Sequence, residues 1–123
     1  MAAFVAAQMR ALGFDEVTTD RYGNVIGVRY GCAAGPTLLF DGHMDVVPVA
    51  EGMSGREGSS ERWTHDPFGG EIAEGRLWGR GAADTKGALA AMMLAAARLP
   101  RAEFTGRVVV VASVCEENLT GAA

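Results

Sequence analysis

The segment RVVVVASV, residues 107–114, restricts the possible folds more than any other stretch of the chain. A continuous valine run offers no polar side to water, which predicts a strand at the centre of a sheet with both faces covered. Before it, residues 85–99 are rich in Ala, Leu and Met and stop at Pro100, the composition of a helix packed closely on a sheet. At ~1.5 Å rise per residue that helix spans on the order of 22 Å. A short apolar strand at residues 76–78 (RLW) precedes the helix. Strand, helix and strand between Leu77 and Val114 thus predict a right-handed crossover and an α/β fold. Such a sheet normally continues, so the chain is expected to be part of a longer one.

Upstream, Phe4, Val5, Met9 and Leu12 recur at helical spacing among alanines, and Gly13 follows, which predicts an amphipathic helix over residues 2–12. Residues 16–19 and 24–30 are rich in β-branched side chains and flank a turn at residues 21–23, the pattern of a hairpin. After a loop at 31–36, residues 37–40 (TLLF) predict a buried strand that ends at a polar rim of Asp41, Gly42 and His43. Residues 50–61 (AEGMSGREGSSE) are rich in Gly and Ser without periodicity, a surface excursion rather than a domain linker. Trp63, Pro67 and Phe68 suggest an aromatic knot, and 71–74 and 76–78 two short strands around a Glu-Gly turn.

Over 123 residues, 49% hydrophobic and 21% charged, one globular domain with a single core is feasible. A net charge of −4 without any Lys/Arg cluster argues against a nucleic-acid partner. Cys32 and Cys115 show no CxxC spacing, so neither a zinc ribbon nor a thioredoxin-like motif is expected, and Cys115 at a strand end suggests a buried thiol. The apolar first fourteen residues lack the basic segment and cleavage site of a signal peptide, and no run is long enough to span a membrane. The expectation is a soluble, cytoplasmic protein without a membrane partner.

Three rims carry residue types suited to chemistry. His43 and Asp45, two apart after a strand, point to the same side, so the carboxylate can hold the imidazole. Asp41 faces the same rim and suits a hydrogen-bonded loop role. Glu116 and Glu117 follow the valine strand with diverging side chains, so one can ligate a cation while the other acts as a base. Asp84 admits three readings: a helix N-cap, part of a nucleotide loop begun by Gly79-Arg80-Gly81, or a carboxylate bridging two metals. The nucleotide fingerprint fails at its third glycine, where Asp84 would oppose a phosphate. Only the bridging reading also uses His43 and Glu117.

GHMDVVP around His43, GRGAADTKG around Asp84 and CEEN around Glu117, in this order, resemble the signatures of the zinc aminoacylase and carboxypeptidase family. That family includes acetylornithine deacetylase, succinyl-diaminopimelate desuccinylase, aminoacylase-1 and glutamate carboxypeptidase. The run WTHDPFGGEIAEGRLWGRG and the earlier GNVIG are similar to it as well. The resemblance implies the N-terminal part of an incomplete three-layer catalytic domain, a mixed sheet with flanking helices. It implies two zinc ions, for which cobalt can substitute, with Asp84 bridging, His43 on one metal and Glu117 on the other. Asp45 would orient His43, and Glu116 would be general base and acid. The implied substrate is an N-acyl amino acid or small peptide.

Relatives carry a further acidic ligand, a late histidine and, between them, a dimerising lid, none of which occurs in this sequence. His65 precedes the bridging motif and suits a structural or pocket-lining role. The expectation is that this chain alone binds zinc weakly and hydrolyses nothing, and that the longer protein forms a homodimer through its lid. The competing readings are a nucleotide-binding α/β module, which nucleotide rather than zinc would protect against heat, and a non-catalytic remnant.

Overall fold

A computed structural model describes residues 1–49, 63 and 65–118. Helix α1 (Ala2–Ala11) leads into the hairpin of β1 (Glu16–Thr19) and β2 (Val25–Tyr30), then β3 (Thr37–His43). The short strands β4 (Glu71–Ala73) and β5 (Arg76–Trp78) follow, then an irregular turn at Ala82–Lys86, helix α2 (Gly87–Arg98) and β6 (Arg107–Ser113). The excursion expected at residues 50–61 lies outside the described residues.

The main sheet has the order β1-β2-β6-β3. β6 lies antiparallel to β2 and parallel to β3, so the sheet is mixed and the valine strand is central, as its composition predicts. The parallel partner differs from the expected one. β5 pairs only with β4, in a separate two-stranded sheet, and the crossover through α2 runs from β3 to β6. Three residues bounded by Gly75 and Gly79 give β5 too short a ladder to compete with the seven rungs that β3 offers.

Both long helices pack on one face of the sheet. Val5, Ala6 and Met9 of α1 and Leu89, Met93 and Ala96 of α2 share a core with Val25, Val108, Val110 and Ala112. Met9, Val25 and Val110 are fully buried, each side chain gaining roughly 1.5–3 kcal/mol over exposure. Gly27 sits in that face because a Cβ there would come within 2.7 Å of Met9 Sδ and of the Phe14 ring. Val109 and Val111 point to the other face, and among the described residues no long helix packs there, so the strand is central without being covered twice by helices.

The strand at 37–43 also departs from expectation: it is an edge, not a buried element, with Leu38 54% and Leu39 57% exposed. Its residues satisfy their ladder hydrogen bonds on the β6 side alone, while the apolar side chains that suggested burial remain open to water. Phe68 is exposed too, and the packed pair in that region is His65 on Trp78, ring centroids 4.1 Å apart, in place of a knot of Trp63, Pro67 and Phe68.

Candidate metal centre

β3 and β6 run parallel and end together at the His43–Ser113 pair, which puts the residues that follow both strands on one rim. Helix α2 is drawn to this rim because Gly42 has no side chain: a Cβ there would stand 2.7 Å from Met92 Cε. The approach brings the segment before α2, and Asp84 with it, against the end of β3. Gly81, with φ 79°, opens that segment in a left-handed conformation that a bulkier residue would resist. Asp84 itself is extended (φ −117°, ψ 99°), and α2 has no side-chain N-cap, so the capping reading of Asp84 does not hold.

His43 is the buried member of the cluster, 8% exposed at the end of β3. Its Nδ1 donates to the Asp45 main-chain oxygen at 3.1 Å, leaving Nε2 to face Asp84 Oδ1 at 3.0 Å and Glu116 Oε2 at 3.8 Å. Glu117 completes the group: one ligand atom each from His43, Asp84 and Glu117 lie within 4.8 Å of one another. His43 and Glu117 thus meet from the ends of β3 and β6, as residues that follow strands are expected to, whereas Asp84 reaches them from the segment before α2, which follows no strand of this sheet.

Asp45 is close to His43 but acts through different atoms from those the spacing suggests. Its carboxylate Oδ1 is 3.6 Å from Nδ1, beyond a hydrogen bond, and has no partner although buried. Oδ2 accepts the Glu117 N–H at 3.1 Å instead. One residue therefore orients the imidazole by its backbone and steadies the Glu117 turn by its side chain. Nothing in the local sequence signals the second contact, which spans 72 positions.

The charges around the imidazole are one-sided. Burial works against protonating His43, but the Asp84 hydrogen bond, the Asp45 carbonyl and the charges of Glu116 and Asp84 outweigh it, raising the pKa above its ordinary 6.5. Among the described residues no Lys or Arg pairs with Asp45, Asp84, Glu116 or Glu117. A site of one imidazole and several carboxylates without a compensating cation has the donor chemistry of a zinc centre, where a cation at Nε2 replaces the proton.

The other candidates lie elsewhere. Asp41 stands in β3 opposite Val111, exposed and outside the cluster. His65 contacts Glu71 through Nδ1 at 2.9 Å and stacks on Trp78, the structural use its position suggests. Cys115 is half-buried in the turn after β6, with φ 65°, rather than a core thiol.

Comparison with known proteins gives the same direction. Succinyl-diaminopimelate desuccinylase of Cereibacter sphaeroides is 49% identical over 87 residues, 68% of this chain and 20% of that protein. The enzyme of the same name from Rhodospirillum centenum is 49% identical over 84 residues, 68% of this chain and 19% of that protein. The chain thus spans about a fifth of the length of these curated relatives. The crystal structure of human carnosine dipeptidase 1 is similar with a TM-score of 0.71 at 25% identity, over 96% of this chain and 26% of that one. Residues 39–123 match the family model described as Peptidase family M20/M25/M40, and the chain, with its mixed sheet and its rim of His43, Asp84 and Glu117, belongs to that family.

Proposed function

We propose that this chain is the N-terminal part of the catalytic domain of a zinc-dependent hydrolase that cleaves an amide bond in an N-acyl amino acid or small peptide. The observation that carries the reading is the meeting of His43, Asp84 and Glu117 within 4.8 Å. Family members are metal-dependent, and the matched relatives are by name a desuccinylase and a dipeptidase, enzymes whose common bond is an amide of an amino-acid derivative.

Two zinc ions, when bound, would lower the pKa of a water toward ~7 and polarise the scissile carbonyl. The fit of the residues is good. His43 offers Nε2 because Nδ1 is committed to the Asp45 carbonyl. Asp84, its side chain 79% exposed, turns Oδ1 to His43 Nε2 at 3.0 Å, where a cation would take the place of the proton, and its carboxylate suits a bridge between two cations. Glu117 offers the third ligand. Glu116 would take a proton from water at its carboxylate and return it to the leaving amine nitrogen, a role supported by its 3.8 Å distance from His43 and its 58% exposure.

With Asp84 shared, each of two metals would find two protein ligands among the described residues, whereas zinc sites take three or four. The chain alone is therefore proposed to bind zinc weakly and to lack turnover, while the longer protein hydrolyses its substrate. Calorimetric zinc titration of the chain, followed by an amide-hydrolysis assay with N-succinyl and N-acetyl amino acids and dipeptides, tests this. Turnover by the chain itself would show that further ligands are dispensable, and no heat on zinc addition would remove the metal reading.

A further inference from the structure

The turn that carries Glu116 and Glu117 is tied at both ends by side chains from distant parts of the chain. At its far end Asp45 holds the Glu117 N–H. At its near end the β2–β6 ladder stops at the Val25–Ala112 pair, one step before the N–H of Val114 would need a partner on the β2 side. The side chain of Asn24 supplies it: Oδ1 accepts the Val114 N–H at 2.9 Å, across 90 positions.

Asn24 cannot turn its amide round. Its Nδ2 donates to Asp20 Oδ2 at 2.8 Å and its main-chain N–H to Asp20 Oδ1 at 2.9 Å. Asp20 Oδ1 also accepts the N–H groups of Tyr22 and Gly23. An NH2 held against a carboxylate leaves only the amide oxygen for Val114. The Asn24 amide, ahead of the other donors, keeps the Asp20 carboxyl below the usual carboxylate range. Directly after Val114, Cys115 takes a left-handed φ of 65°, a conformation that persists in a non-glycine residue only when its surroundings over-determine it.

We propose that Asn24, oriented by Asp20, is a positioning residue of the metal centre, fixing Val114 so that the chain bends at Cys115 and turns Glu117 toward His43 and Asp84. The inference rests on the metal reading above. It assigns the DRYGN turn, which touches none of the ligands, a part in their geometry.

The test uses zinc titration of the chain together with the amide signals of Val114 and Glu117 in 15N-resolved NMR. Asn24→Ala is expected to weaken zinc binding about 10-fold or more, in the range for residues that support metal ligands, and to remove the protection of the Val114 amide from exchange. Asp20→Asn, which keeps the acceptor for the turn but sets amide against amide, does the same with little effect on folding. The exchange Asp20→Asn with Asn24→Asp restores both readouts, because an amide again donates to a carboxylate whose second oxygen accepts from Val114. Phe14→Leu, a core change at a residue outside the metal cluster and the hydrogen bonds of this turn, lowers stability and leaves zinc affinity unchanged. Zinc affinity at the unsubstituted level in Asn24→Ala or Asp20→Asn, with the chain itself binding zinc, overturns the role of Asn24. No binding by the unsubstituted chain overturns the metal reading and this inference with it.

Discussion

Replacing Asp45 separates two contributions of its side chain, the charge beside His43 and the contact to the Glu117 N–H. In Asp45→Asn the backbone carbonyl still receives the His43 Nδ1–H, and the side-chain oxygen can still accept from Glu117 N–H, a contact of 3.1 Å. What is lost is the negative charge 3.6 Å from the imidazole, and with it some basicity at Nε2. Loss of such a supporting group weakens metal binding by about 10- to 100-fold, and with the contact to Glu117 intact the lower figure applies. Asp45→Ala also frees the Glu117 turn. A hydrogen bond to a charged acceptor is worth about 1.5 kcal/mol, so a further loss of about 10-fold follows, giving about 100-fold in total. Zinc calorimetry at constant pH in a non-coordinating buffer measures both. If Asp45→Ala binds zinc no worse than Asp45→Asn, the carboxylate does not steady Glu117, and if neither differs from the unsubstituted chain, the Asp45 side chain has no part in the centre.

The raised pKa of His43 predicts zinc affinity that climbs as pH rises through that value and levels off above it, since the metal must displace the Nε2 proton. In the metal-free chain the sign is opposite. The protonated imidazole stabilises the fold fully below its ordinary value of 6.5, and the contribution fades as pH rises through the folded value, so urea midpoints should fall on that limb and not in His43→Ala. Gly27→Ala drives a Cβ to within 2.7 Å of Met9 and Phe14. Overpacking of roughly 1–3 kcal/mol, offset by roughly 0.5–1 kcal/mol of reduced chain entropy, should leave a net loss of up to about 2.5 kcal/mol in chemical denaturation. A gain in stability would mean that α1 does not pack as described.

The parts of this protein that are legible in its sequence are those governed by local rules. A valine run has one good home in an α/β sheet, and β6 occupies it. Polar residues placed directly after apolar strands lie at a sheet rim by geometry, which groups His43 with Glu117 on sequence grounds alone. Pairing is less legible. Arg76–Trp78 and Thr37–His43 both precede α2, and the choice of β3 as the parallel partner depends on the number of rungs each can form with a strand far along the chain. The exposure of β3 was hidden for the same reason: Leu38, Leu39 and Phe40 have the composition of a covered strand, but composition carries no information about which side lacks a neighbour. Least legible are contacts made by single polar atoms over long separations. Asp45 to Glu117 and Asn24 to Val114 have no periodicity and no spacing rule, and they appear only when the turns are folded against each other.

X-ray absorption of the zinc-loaded chain tests the central claim most directly, because it reads the ligand atoms themselves. Coordination by His43, Asp84 and Glu117 predicts a shell of nitrogen and oxygen at about 2.0–2.2 Å with an imidazole signature that disappears in His43→Ala. A sulfur shell at about 2.3 Å, pointing to Cys115 or Cys32, or an imidazole signature that survives in His43→Ala and so belongs to His65, would contradict it.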